Sequence, residues 1–267
     1  MRPDSISPSA PTPAPLRDAR LWLLGLLAFA LAAAVVLMPP MATPAHLSVY
    51  VDQRNFFGVP NFFDVVSNLP LAIVGAWGLY AAARPVGKAF NTAAEKWPYR
   101  VLFASIALAG LGSTYYHLAP DGARLLWDRL PIALGFMALL SAVIAERIHL
   151  KAGVYLLAPL LVAGGAAVLY WRWTVINGSE NVLPYAAVQY GGMAAVVLIA
   201  LLFRSRYTRG RDILVAAALY GAAKVAEMLD APIYALGGIV SGHTLKHLLA
   251  ALAVWWLLRM IQLRSPA

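Results

Sequence analysis

Eight apolar runs, each between 17 and 22 residues long, take up most of the chain, at 21–38, 62–83, 101–118, 131–148, 154–171, 184–203, 213–229 and 243–261. About 20 apolar residues in a helix cross the roughly 30 Å of bilayer hydrocarbon. A helix also satisfies its own backbone polar groups, for which lipid offers no partner. The fold class expected is therefore all-α: a polytopic membrane helix bundle. Composition agrees, since 61% of the 267 residues are hydrophobic and 12% are charged, where a soluble domain carries about a quarter charged. An ordinary cytosolic enzyme is excluded. The seventh run is the weakest, because it contains Lys224 and Glu227. Residues 1–20, rich in proline, serine and alanine, read as a disordered cytoplasmic tail. The run at 21–38 is too long for an ordinary signal-peptide core and reads as a retained membrane helix, a cleaved signal being the alternative.

The net charge of +9 follows from topology and does not require a nucleic-acid partner. If both termini are cytoplasmic, the outer loops hold Arg54, Arg124, Arg129 and Arg172, and the spans hold Lys224 and Lys246. The remaining 15 of the 21 lysines and arginines fall on the cytoplasmic side, as the positive-inside rule requires. Deleting any one span scrambles this sorting. The chain has no cysteine, so a metal here must be held by histidine, carboxylate or hydroxyl.

With charge this scarce, polar residues near the spans carry most of the information. His46 and His149, two of the five histidines, lie in loops. His243 and His247, four residues apart, share one face of the last helix, a spacing that suits two ligands of one metal. Ser113 and His117 repeat the spacing near the end of the third run, and Asp128 follows just before Leu130-Pro131. Each taken alone has a plainer reading: helix-end histidines meeting headgroups, a serine bonded to its own helix, and an aspartate capping a helix that starts at a proline. Taken with the topology, all five fall at similar depth on the outer side of the membrane. Three neutral imidazoles with an open fourth position form the ligand set of a hydrolytic zinc site.

The ordered set Ser113, His117, Asp128, His243 and His247 resembles the signature of the alkaline ceramidase family, within a superfamily of seven-helix membrane hydrolases that includes the adiponectin-type receptors. The stretches Asn61-Phe62-Phe63-Asp64-Val65-Val66-Ser67-Asn68, Asp128-Arg129-Leu130-Pro131 and Gly242-His243 carry the rest of the likeness. The resemblance covers nearly all of the chain after residue 50. It implies a seven-helix hydrolase core at 50–263, with 21–38 as an extra N-terminal helix, in a bacterial inner membrane. It also implies zinc held by His117, His243 and His247, with Asp128 and Ser113 as catalytic residues. The activity implied is cleavage of the N-acyl bond of ceramide-like lipids from within the bilayer, releasing a fatty acid and a sphingoid-type base. The alternative is a membrane receptor or lipid-binding protein with a structural zinc site.

Eukaryotic members of that family carry calcium ahead of the first core helix. The matching stretch here offers Asp52, Asn55 and Asn61 as oxygen donors, but it includes Arg54 and has fewer carboxylates. Helix capping and loop ordering are the plainer roles. Lys224, Glu227 and Lys246 form an intramembrane charge network whose simplest function is to hold helices seven and eight together by neutralising one another. Trp171, Trp173, Trp255 and Trp256 read as interfacial anchors or lipid-facing bulk.

Overall fold

A computed structural model of the chain describes residues 18–44, 50–84 and 89–267. Residues 1–17 of the expected tail, and His46, lie outside the described residues. The helices are α1 (Ala19–Leu37), α2 (Phe62–Val66), α3 (Leu69–Ala83), α4 (Lys96–Leu118), α5 (Gly122–Arg147), α6 (Leu150–Ile176), α7 (Leu183–Ala186), α8 (Gly192–Leu202), α9 (Asp212–Met228), α10 (Asp230–Ala235) and α11 (Gly242–Leu263). A π-helical turn, Ala187–Gly191, joins α7 to α8. The described residues form no named strand, only two isolated bridges.

Among the described residues seven stretches are long and apolar enough to cross a membrane, with α2–α3 acting as one and α7–α8 as another. The protein is thus an all-α, multi-pass membrane bundle. Helix α9, which corresponds to the weakest apolar run, has 17 residues, about 25 Å at 1.5 Å per residue. It packs against α11, which returns to α3; α3, α4 and α5 lie side by side, and α5 also meets α6 and α8. These form the seven-helix core. None of α1 is buried, and its main contacts are with the α7–α8 region, so it is an addition on the outside. It starts at Ala19, two residues before the apolar run, because the Asp18 carboxylate accepts from the Arg20 amide at 3.0 Å and caps it.

The ends of the bundle differ. Away from the histidines, Tyr99, Phe103, Val143, Ile199 and Leu258 make the tightest apolar core. There Glu146 accepts from Tyr99 at 2.7 Å and from Arg264. This ties α4, α5 and the C-terminal end of α11 through a buried, paired charge.

Helix α5 departs from the sequence reading. It begins at Gly122 and not at Pro131, because Asp121 caps it, accepting from the amides of Ala123 and Arg124, both at 2.7 Å. Asp128 is therefore inside the helix and is neither a loop residue nor a cap. Pro131 lies within the helix and has no N–H to give the carbonyl four residues back, that of Trp127. That freed carbonyl lies where a Cβ at Gly112 would be, so α4 and α5 meet closely beside Ser113 and Asp128. Alanine at Gly112 forces the helices apart, and we expect it to cost about 1–3 kcal/mol, the usual range for overpacking. Thermal unfolding of the purified protein in detergent measures this; an unchanged midpoint would show that the contact does not hold the helices.

Candidate metal centre

The three histidines meet at one end of the bundle. His117 is in the last turn of α4 and is 1% exposed; His243 and His247 are in the first two turns of α11 and are each 3% exposed. The start of α11 is fixed twice. Ser241 accepts from the Thr244 amide at 3.0 Å, and the Asp230 carboxylate accepts from the His243 amide at 2.7 Å and from the Val51 amide at 3.1 Å. A negative group at a helix N-terminus is favourable. Gly242 lies against the Ala226 carbonyl and the Asp230 backbone with no room for a Cβ.

One ring nitrogen from each histidine lies within 4.8 Å of the other two, and His117 Nε2 faces His243 Nε2 at 3.2 Å. Tetrahedral ligation with 2.0–2.1 Å bonds separates nitrogen donors by about 3.3 Å. Ser67 Oγ contacts His247 Nδ1 at 2.8 Å and Asn68 lies 3.3 Å from the same atom, an outer-shell arrangement that turns the other nitrogen toward the centre. His247 Nε2 and His117 Nδ1 are buried and have no hydrogen-bond partner; the same holds for Asp64 Oδ2 and Asn68 Oδ1 beside them. Buried polar groups are normally satisfied, so His247 Nε2, on the ring edge opposite its contact with Ser67, fits a site built to hold an ion. The three histidines could hold a metal ion, and no second such grouping of histidine, aspartate and glutamate occurs among the described residues.

Several contributors were not assigned from sequence. Asn61 donates from its amide to the His117 carbonyl at 2.9 Å, and Thr244 donates to Asp64 at 2.7 Å. The Tyr50 ring packs on His117 and His243 at 4.8 and 4.3 Å between centroids. Asp64, Ser67 and Asn68 stand at i, i+3 and i+4, a spacing that brings them to one face of the turn; this was the signal available for them.

Ser113 lies one turn before His117, and the close approach of Gly112 to Trp127 and Asp128 brings α5 alongside it. Ser113 and Asp128 line a cavity of about 360 Å³ together with His243, Lys246 and His247. The cavity wall continues through apolar side chains as far as Leu257, ten residues past His247 and so about 15 Å along α11. Glu227 bridges Lys246, at 2.9 Å, and Lys224, linking α9 to α11. Lys246 Nζ also reaches His243 Nε2 at 3.2 Å.

The candidate calcium donors do not make a cage as placed. Both Asp52 oxygens are taken by the Arg54 guanidinium, at 2.8 and 2.7 Å, and the pairing holds that guanidinium above its ordinary pKa. Asn61 is engaged with His117, and Asn55 is exposed. A divalent cation would have to displace Arg54. His149 is the N-cap of α6, accepting from Ala152 at 3.3 Å. Trp171, expected at the lipid interface, is 2% exposed; its indole donates to Glu180 at 2.9 Å and its face carries Arg129. Trp173 is exposed. Compared with protein-family models and with curated proteins, the chain matches none.

Proposed function

We propose that the chain is a zinc-dependent lipid amide hydrolase that cleaves the N-acyl bond of ceramide-like lipids to a fatty acid and a sphingoid-type base. The observation that carries this reading is the placement of Ser113 and Asp128 on the wall of the same cavity as His243 and His247, with His117 completing the cluster. Zinc bound by His117, His243 and His247 supplies Lewis acidity and lowers the pKa of water to about 7. Asp128 accepts the proton of the attacking water and returns it to the leaving amine. Ser113 donates its hydroxyl to the carbonyl oxygen as charge develops there. The apolar wall down to Leu257 takes the acyl chain and excludes water from it. The charge sorting supports an orientation with both termini cytoplasmic and the site toward the outer side.

A receptor or lipid-binding protein with a structural zinc site needs the histidines but no carboxylate at the cavity, so the placement of Asp128 favours hydrolysis. The deciding experiment pairs metal analysis of the purified protein with product identification. We expect about one zinc per chain, as the three-imidazole set implies, and release of free fatty acid from ceramide in mixed micelles. Full metal occupancy with no fatty acid released from any N-acyl lipid would refute the proposal.

A further inference from the structure

The cavity has a second charged feature that neither the metal centre nor the proton path uses. Arg129 lines it and is 8% exposed, yet no carboxylate among the described residues pairs with it within 4.0 Å. Its Nη2 donates to Thr43 Oγ1 at 3.1 Å, and its Nη1 is buried with no hydrogen-bond partner. The guanidinium lies over Trp171 at 4.1 Å and Tyr185 at 5.1 Å, which orders it without neutralising it. Of the nearby acids, Glu180 is engaged, accepting from Thr43 at 2.6 Å and Trp171 at 2.9 Å, and Asp128 makes no ion pair with Arg129. Other buried cations are provided for. Arg264 has Glu146, Lys224 and Lys246 share Glu227, and Arg147 holds three backbone carbonyls. Around the cavity three cations, Arg129, Lys224 and Lys246, face two carboxylates, Asp128 and Glu227.

A buried charge without a partner is costly, and a guanidinium is shaped to take a carboxylate or phosphate through two parallel hydrogen bonds. We propose that Arg129 anchors an anionic group on the amine half of the lipid amide, so that the preferred substrates carry a carboxylate or phosphate there. This rests on the hydrolase reading. Arg129 and Asp128, the residue that in this reading returns the proton to the leaving amine, line the same cavity from α5, so a group attached to that amine comes within reach of the guanidinium. The acyl chain lies in the opposite, apolar direction.

Two pairs matched in acyl chain test it on the full-length, metal-loaded protein: N-oleoylglycine against N-oleoylethanolamine, and ceramide 1-phosphate against ceramide. We expect kcat/KM to favour the anionic member of at least one pair by about tenfold, the scale of a charge-assisted hydrogen-bonded pair. The pair that responds distinguishes carboxylate from phosphate. Arg129→Gln equalises the members and Arg129→Lys retains part of the preference. Equilibrium binding of the same lipids to the Asp128→Asn protein separates this idea from the activity itself. Arg129-dependent preference in binding without hydrolysis of any lipid leaves the anion anchor standing and sinks the hydrolase. Hydrolysis with both pairs equal within about twofold, or a preference that survives Arg129→Gln, overturns the anchor. Should Arg129→Gln not fold, the wild-type ratio and Arg129→Lys decide.

Discussion

Alanine at His117, His243 or His247 is expected to empty the metal site and to lower fatty-acid release by about a thousandfold or more. A bound zinc contributes several kcal/mol of charge stabilisation, and about 4 kcal/mol is already a factor of roughly a thousand. Removing any one imidazole leaves two neutral ligands, too few to keep zinc in a three-histidine site. The loss should be alike at all three positions, although their settings differ. His117 is at the end of α4, whereas His247 is braced by Ser67 and Asn68. Elemental analysis of each purified variant reads the metal directly, and a thermal melt shows whether the fold survives. Chelation of the wild-type protein should lower its melting midpoint, since a ligand bound only to the folded state stabilises that state. Variants that keep a full complement of zinc, or that lose zinc with undiminished activity, would show that the cluster is not the working centre.

The histidines were legible in the sequence because of where helices place side chains. Four-residue spacing brings His243 and His247 to one face of α11, and the alternation of spans returns the end of α4 and the start of α11 to the same end of the bundle. Asp128 was legible as a residue near the histidines, whose cavity it lines, but not as a helical one. Pro131 looks like a helix start, and only Asp121 and the close approach of Gly112 to the Trp127 carbonyl show that α5 runs through it. Ser67 and Asn68 were hidden for another reason. Their role depends on a five-residue helix, α2, packing against α11 about 180 positions later in the chain. Trp171 misled because an indole suits both an interface and an interior where its N–H finds an acceptor; here Glu180 provides one. Arg129 was counted toward topology, and its lack of an acidic partner is visible only in three dimensions.

Asparagine at Asp128 should separate catalysis from metal binding. The substitution keeps the size of the side chain and removes its charge and its basicity. In the proposed reaction it removes the group that takes a proton from water and delivers it to the amine. General acid–base groups contribute about a hundredfold to ten-thousandfold, so kcat should fall by that amount while zinc content stays at the wild-type level. KM should change little, because the proposed role of Asp128 is on the proton and not on the acyl chain. A structural clamp makes the opposite demand: there Asp128→Asn changes nothing, since a clamp has no proton to move. The measurement is single-turnover hydrolysis of ceramide by metal-loaded wild-type and variant proteins, with the zinc content of both determined. Wild-type rates in the variant would remove Asp128 from the chemistry, and the hydrolase proposal would lose its base. A large loss of kcat at constant zinc needs a carboxylate acting on the reaction itself, which a purely structural metal site cannot supply.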